Sequence, residues 1–152
     1  MAKFKALSRG TRLVLVAGPL LIVSLFLTWQ NVEVDYGPAG IATVPLDGFD
    51  VWGLLIALLT LSLVALVALA RLTDVDMSDD VPWETVRLAL GAAVLAIAVV
   101  KSLTDSGSTW ESYAFVALAG AVAFGAYLDW AAARRAERPL LTRKRRGISS
   151  AV

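Results

Sequence analysis

The sequence predicts an all-α membrane protein: a four-transmembrane-helix bundle with cytoplasmic N- and C-termini and a small extracytoplasmic loop between helices one and two. Three observations carry this. Hydrophobic residues fill 58% of the 152 positions and the mean hydropathy is +0.71, more apolar surface than a soluble domain of this size can bury. The excess comes in blocks of roughly 17 to 21 residues, the length that crosses a hydrocarbon core about 30 Å thick. The cations are also sorted by segment. With the N-terminus inside, thirteen of the fourteen Lys and Arg fall in inner segments and Lys101 alone falls outside, a positive-inside bias.

Helix one is expected at about 12–29, behind Lys3, Lys5, Arg9 and Arg12, with Gly18-Pro19 as a mid-helix kink. Thr28 to Glu33 lacks the small-x-small pattern of a signal-peptide cleavage site, so the stretch reads as a span. The outer loop, 30–50, contains acids and no Lys or Arg. Asn31 to Tyr36 alternates, Gly37-Pro38-Ala39-Gly40 is turn chemistry and Ile41 to Val44 favours strand, which together suit a hairpin. Asp50 is placed to cap helix two.

Helix two, about 51–71, holds twelve Leu, Ile or Val before Arg71; at about −0.5 kcal/mol each these contribute roughly −6 kcal/mol to insertion. An acidic connector with Asp74, Asp76, Asp79 and Asp80 leads to helix three, about 83–103. Its uncharged core, Leu88 to Val100, has thirteen residues, or about 20 Å. It spans if Arg87 and Lys101 snorkel to opposite interfaces. Helix four, about 110–130, opens on the capping box Ser108-x-x-Glu111. It is expected to run into the basic stretch and stop before Pro139, dividing the chain into a transmembrane domain, 1–138, and a disordered tail, 139–152. All five Trp then sit at interfaces, Trp29, Trp52 and Trp110 outside and Trp83 and Trp130 inside.

The chain contains neither Cys nor His, which removes thiol nucleophiles, thiolate metal sites and the usual neutral-pH base. No ionisable residue is expected at mid-span, which argues against ion-coupled transport. An enzyme would have to rest on carboxylates such as Asp47 and Asp50. No cofactor, no metal and no nucleic acid is therefore expected.

Three surfaces stand out. The outer segment offers Trp29, Glu33, Asp35, Tyr36, Asp47, Phe49, Asp50 and Trp52; its acids could meet a basic partner or a hard cation, or serve only as solvated loop acids and a cap. Arg134, Arg135, Arg138, Arg143, Lys144, Arg145 and Arg146 suit anionic headgroups, besides fixing topology. Ala117, Ala121 and Gly125 repeat every four residues, as do Ala89 and Ala93, and Ala92 and Ala96. This spacing lets helices approach closely, so helices three and four are expected to pair; it also allows a homo-oligomer.

Leu25-Phe26-Leu27-Thr28-Trp29 and Gly48-Phe49-Asp50-Val51-Trp52-Gly53 resemble a pattern found in small four-helix integral membrane proteins of high-GC Gram-positive bacteria. Those commonly read Leu-Phe-Leu-Pro-Trp where this chain has Thr28 in place of proline. The resemblance implies a plasma-membrane location and this topology, not an activity. The expected function is that of a non-enzymatic accessory or scaffold subunit of a larger membrane or cell-envelope complex, bound to lipids and to another membrane protein. The alternative is a binder of lipids or small hydrophobic molecules, in a groove beneath the outer loop with Trp29, Tyr36, Phe49 and Trp52 as lid.

Overall fold

Each of the four helices among the described residues buries residues at alternating steps of three and four. In the computed structural model, which describes residues 7–73, 80–105 and 110–149 and leaves aside the side chains of 29, 30, 39 and 137–149, helix α1 (Arg9–Ser24) buries Thr11, Val14, Gly18 and Leu21. Helix α2 (Val51–Leu72) buries Gly53, Ile56, Thr60, Leu63 and Val67. Helix α3 (Trp83–Thr104) buries Arg87, Gly91, Val94, Ala98 and Lys101. In helix α4 (Trp110–Ser149) the same rhythm runs through Ser112, Phe115, Ala119, Val122, Ala126 and Asp129. A three-four rhythm keeps one stripe of a helix on its neighbours and is the packing geometry of antiparallel bundles.

Successive helices are neighbours and α4 closes the ring against α1. The ends meet as an up-down-up-down bundle requires: the start of α2 touches the end of α3 through Asp50 and Lys101, and the start of α1 touches α4 through Ser8 and Asp129. Between them lies one apolar core containing Val14, Leu21, Ile56, Leu63, Val94, Phe115 and Val122. Leucines 54, 55, 58, 61 and 69 of α2 point outward, which suits a helix facing lipid.

Helices α2, α3 and residues 110–136 of α4 are long and apolar enough to cross a membrane. Helix α1 is shorter than these, and its bounds differ from the expected helix at 12–29. Sixteen residues give about 24 Å. After Ser24 the chain tightens through bonds from Leu25, Phe26 and Leu27 N–H to the carbonyls of Ile22, Val23 and Ser24. It then leaves the helix as strand β1 (Thr28–Asp35). Antiparallel pairing with β2 (Ile41–Asp47) satisfies backbone groups that further helix would otherwise have bonded. Trp29 therefore lies in a strand, at a bulge between Thr28 and Gln30.

The expected hairpin is present. Its tip is a short 3-10 turn at Gly37–Ala39, with Gly37 and Gly40 at φ of 65° and 97°, left-handed values that favour glycine. A second correction concerns helix four, which continues through Pro139 to Ser149 instead of stopping before it. Proline costs one backbone bond, and the flanking Ala, Arg, Glu and Leu are strong helix formers. Residues 74–79, 106–109 and 150–152, with most of the acidic connector and Ser108 of the capping box, lie outside the described residues.

Glycines set the closest approaches. Gly10 and Gly125 face one another across α1 and α4, and a Cβ on Gly125 would lie 2.8 Å from the Gly10 carbonyl and 2.9 Å from Val14. On α3, a Cβ added at Gly91 would lie 3.1 Å from Ala126 and 3.2 Å from the Ala123 backbone. The expected small-residue stripe is thus reassigned. Gly125 packs on α1, Ala121 lies partly buried against the core, and Ala117, Ala89, Ala92 and Ala96 are exposed. A stripe at strict four-residue spacing drifts around a helix of 3.6 residues per turn, whereas the three-four rhythm stays on one face. Gly53 faces the Gly48 carbonyl so closely that any side chain collides with backbone. Gly53→Ala is expected to cost about 1–3 kcal/mol of stability. Gly120→Ala, where a Cβ meets nothing within 4 Å, should be neutral or stabilising by up to ~1 kcal/mol; thermal unfolding in detergent compares the two.

Candidate functional site at the hairpin end

The hairpin end of the bundle is organised by a buried ammonium. Lys101, in the last turn of α3, is 1% exposed. Its Nζ lies 2.7 Å from Asp50 Oδ2 and 2.9 Å from Asp105 Oδ2. The snorkelling expected of Lys101 does not occur, because its position falls in phase with Gly91, Val94 and Ala98 and is carried inward with them. Arg87, at the other end of the same stripe, is also buried, at 5%. Its guanidinium lies 3.9 Å from Glu84 and within electrostatic reach of Asp129 and Arg71. Buried charges persist only where opposite charge or hydrogen bonds replace lost water, and α3 meets that requirement at both ends.

Asp50 does two jobs. Its Oδ1 accepts the Gly53 N–H at 2.7 Å, capping α2, while Oδ2 accepts from Lys101. Asp105 caps the end of α3, its own N–H donating to the Lys101 carbonyl at 3.0 Å. A carboxylate at a helix C-terminus is opposed by the helix dipole, and Lys101 offsets that. Burial raises the pKa of the Asp50 carboxyl, but the hydrogen bond from Lys101, the Gly53 N–H and the charge of Lys101 outweigh it, so the group titrates below its ordinary value of 3.8.

The remaining acids expected to group here serve the backbone. Asp35 Oδ1 accepts from Gly37 N–H at 2.8 Å in the hairpin tip, and Asp47 Oδ1 accepts from Phe49 N–H at 3.1 Å in the turn before α2. Glu33 is exposed on β1 opposite Thr43. Among the described residues no group of three acids is close enough to hold a metal ion. The expected aromatic lid is not assembled among its described members. Phe49 packs on Phe26 with ring centroids 4.6 Å apart, Tyr36 stands at the hairpin tip, and Trp52 is 46% exposed on α2. The side chain of Trp29 lies outside the described residues.

The hairpin has two unlike faces. Val32, Val34, Ala42, Val44 and Leu46 share one, and Asn31, Glu33, Thr43 and Pro45 share the other, as the register pairs them. Apart from Val44, every residue of β2 is exposed. A backbone bond from Gly48 N–H to the Leu25 carbonyl, 2.8 Å long, ties the hairpin base to the end of α1.

At the opposite end a second polar cluster fastens α1 to α4. Ser8 caps α1, its Oγ accepting from Thr11 N–H at 2.9 Å and donating to Asp129 Oδ1 at 2.5 Å. Thr11 Oγ1 donates to Asp129 Oδ2 at 2.8 Å. Of the basic patch, Arg134 and Arg135 are exposed, and the Arg134 guanidinium lies over the Trp130 ring, 4.9 Å from its centre. The side chains of Arg138, Arg143, Lys144, Arg145 and Arg146 are outside the described residues.

Sequence reasoning missed Ser8, Thr11 and Asp129, and it placed Lys101 and Arg87 at the bundle surface. The signal was the three-four phase. Reading α4 inward from Phe115 by that rhythm lands on Asp129, and reading α3 from Gly91 lands on Arg87 in one direction and Lys101 in the other. No family model, curated protein or solved structure matches this chain.

Replacing Lys101 by Met leaves Asp105 without its cation in a nearly closed site and should cost ~3 kcal/mol, the scale for breaking a buried pair. A carboxyl whose pKa is lowered on folding contributes stability that is present above its unfolded value and lost as pH falls through its folded value. The melting temperature should therefore decline as pH drops below 3.8. Asp50→Asn keeps the cap but lacks the charge, so that part of the decline should disappear from its pH–melting curve.

Proposed function

We propose that this chain is a non-catalytic, multi-pass protein of the plasma membrane. All four helices lie in the bilayer, both termini are cytoplasmic, and the chain is an accessory or scaffold subunit that presents its hairpin to another membrane or envelope protein. The observation that carries this reading is the exposure of the hairpin. An isolated two-stranded hairpin is marginally stable in water, its edges leave backbone groups unpaired, and here almost none of β2 is covered by the bundle. A partner that adds a strand or lays a surface on it supplies what is missing. The seven-residue β2 is a large outward element for a chain of 152 residues.

The four-span arrangement is supported by α1 packing along α2 and α4, so that a bilayer around the apolar helices also encloses it. It is supported too by charge: Arg9, Arg12, Arg71, Arg134 and Arg135 lie at the end away from the hairpin, and the cation at the hairpin end is spent on Asp50 and Asp105. The absence of Cys and His from the sequence supports the non-catalytic reading.

Two measurements test the proposal. The chain has no native cysteine, so a single Cys at exposed Thr43 should react with a membrane-impermeant maleimide in intact cells. One at Arg135 should react only after permeabilisation, and the reverse pattern would overturn the topology. A photo-crosslinking residue at Thr43 should give one discrete heteromeric adduct. A chain that stays monomeric with no adduct would overturn the scaffold reading.

A further inference from the structure

Away from the hairpin, the seam between α3 and α4 opens into a cavity of about 100 Å³ lined by Pro82, Glu84, Thr85, Trp130, Ala133 and Arg134. It contains one carboxylate, one hydroxyl and one guanidinium beside an aromatic ring. Arg134 is held over the Trp130 ring, a cation–π contact that orients the guanidinium and leaves its N–H edge for an anion.

A second, independent feature leads to the same place. Phe124, Tyr127 and Trp130 form a ladder along α4, with centroids 6.4 Å apart for the first pair and 6.0 Å for the second. Phe124 is 55% and Tyr127 47% exposed, so the ladder lies on the outside of the bundle, within the part of α4 apolar enough to span. Six residues from Phe124 to Trp130 cover about 9 Å of helix. An apolar aromatic track thus descends into the span from a polar cavity beside a tryptophan at the span's end, where aromatic belts sit.

We infer that this seam is a phospholipid site, with a phosphate–ammonium headgroup in the cavity and an acyl chain along Phe124, Tyr127 and Trp130. Arg134 takes the phosphate and Glu84 takes the ammonium. The two signs of charge in one cavity select the headgroup. A purely anionic headgroup meets the Glu84 carboxylate, whose neighbouring cation Arg87, 3.9 Å away, is buried in the bundle. A quaternary ammonium needs an aromatic cage, and the one ring at this cavity already stacks on Arg134. A primary ammonium fits, because it is small and donates hydrogen bonds that Glu84 accepts. The ligand is therefore an ethanolamine-type phospholipid.

Native mass spectrometry of the detergent-solubilised full chain, titrated with phosphatidylethanolamine, phosphatidylcholine and phosphatidylglycerol of identical acyl chains, tests this. The ethanolamine lipid should be retained one per chain and preferred about fivefold over each of the others, the factor that a single charge contact of this kind carries. Arg134→Ala should lose that factor for the ethanolamine lipid, while Arg135→Ala, exposed and not lining the cavity, should not. Glu84→Gln should erase the preference over phosphatidylglycerol. Because Glu84 also neighbours buried Arg87, Thr85→Phe, which fills the cavity from an exposed position, should give the same loss of retention and decides the matter if Glu84→Gln unfolds. Free O-phosphoethanolamine should fail to displace the lipid, and Phe124→Ala should weaken retention. Equal retention of the three lipids overturns the proposal, as do equal effects of Arg134→Ala and Arg135→Ala. Displacement by the water-soluble headgroup would mean a soluble ligand and no acyl track.

Discussion

Lys101 is the point on which the arrangement of the hairpin end depends. An ammonium that is almost fully shielded from water must have opposite charge beside it, and the two carboxylates that meet it come from different places: Asp50 from the start of α2 and Asp105 from the end of α3. Satisfying one buried cation therefore fixes how far α2 and α3 are slid past one another. It also anchors the second leg of the hairpin, because only Gly48 and Phe49 separate β2 from Asp50 and Gly53 packs directly beneath the turn that joins them. The position of the hairpin is set by chemistry in the bundle.

The end away from the hairpin solves the converse problem with the opposite sign. There the buried charge is a carboxylate, Asp129, and its partners are two hydroxyls from the first turn of α1, where the positive end of the helix dipole also favours an anion. Gly10 and Gly125 bring the two backbones close enough for those short side chains to reach. Helix α1 is the shortest of the four, yet it is held by polar bonds at its start, by the Leu25 carbonyl at its end and by the core between. The bundle is thus apolar along its length and fastened by named polar contacts at both ends. Polar anchors placed where the apolar stripe runs out suit a fold in a membrane, where apolar packing alone separates protein from lipid weakly.

The two candidate surfaces lie at opposite ends and differ in kind. The hairpin presents backbone edges and an apolar face, and suits a protein partner. The α3–α4 seam presents a small charged cavity above an aromatic ladder, and suits a lipid. Neither uses the acids once grouped by proximity in sequence, because Asp35, Asp47 and Asp50 are each committed to a turn, a cap or Lys101.

What the sequence determined by itself was the class of object. Apolar block length, the number of helices, the hairpin chemistry between Asn31 and Val44 and the cap at Asp50 are local properties, readable because each depends on residues within a few positions of one another. The end of helix one was not, because whether Thr28 onward continues a helix or pairs as a strand depends on β2, about fifteen residues away. Nor were the anchors. Lys101 and Asp50, or Thr11 and Asp129, are far apart in the chain, and a charged residue near a helix end reads the same whether it snorkels outward or turns inward. Only the packed bundle decides that, because a one-position change in helical phase rotates a side chain by about 100°, from lipid or water into the core.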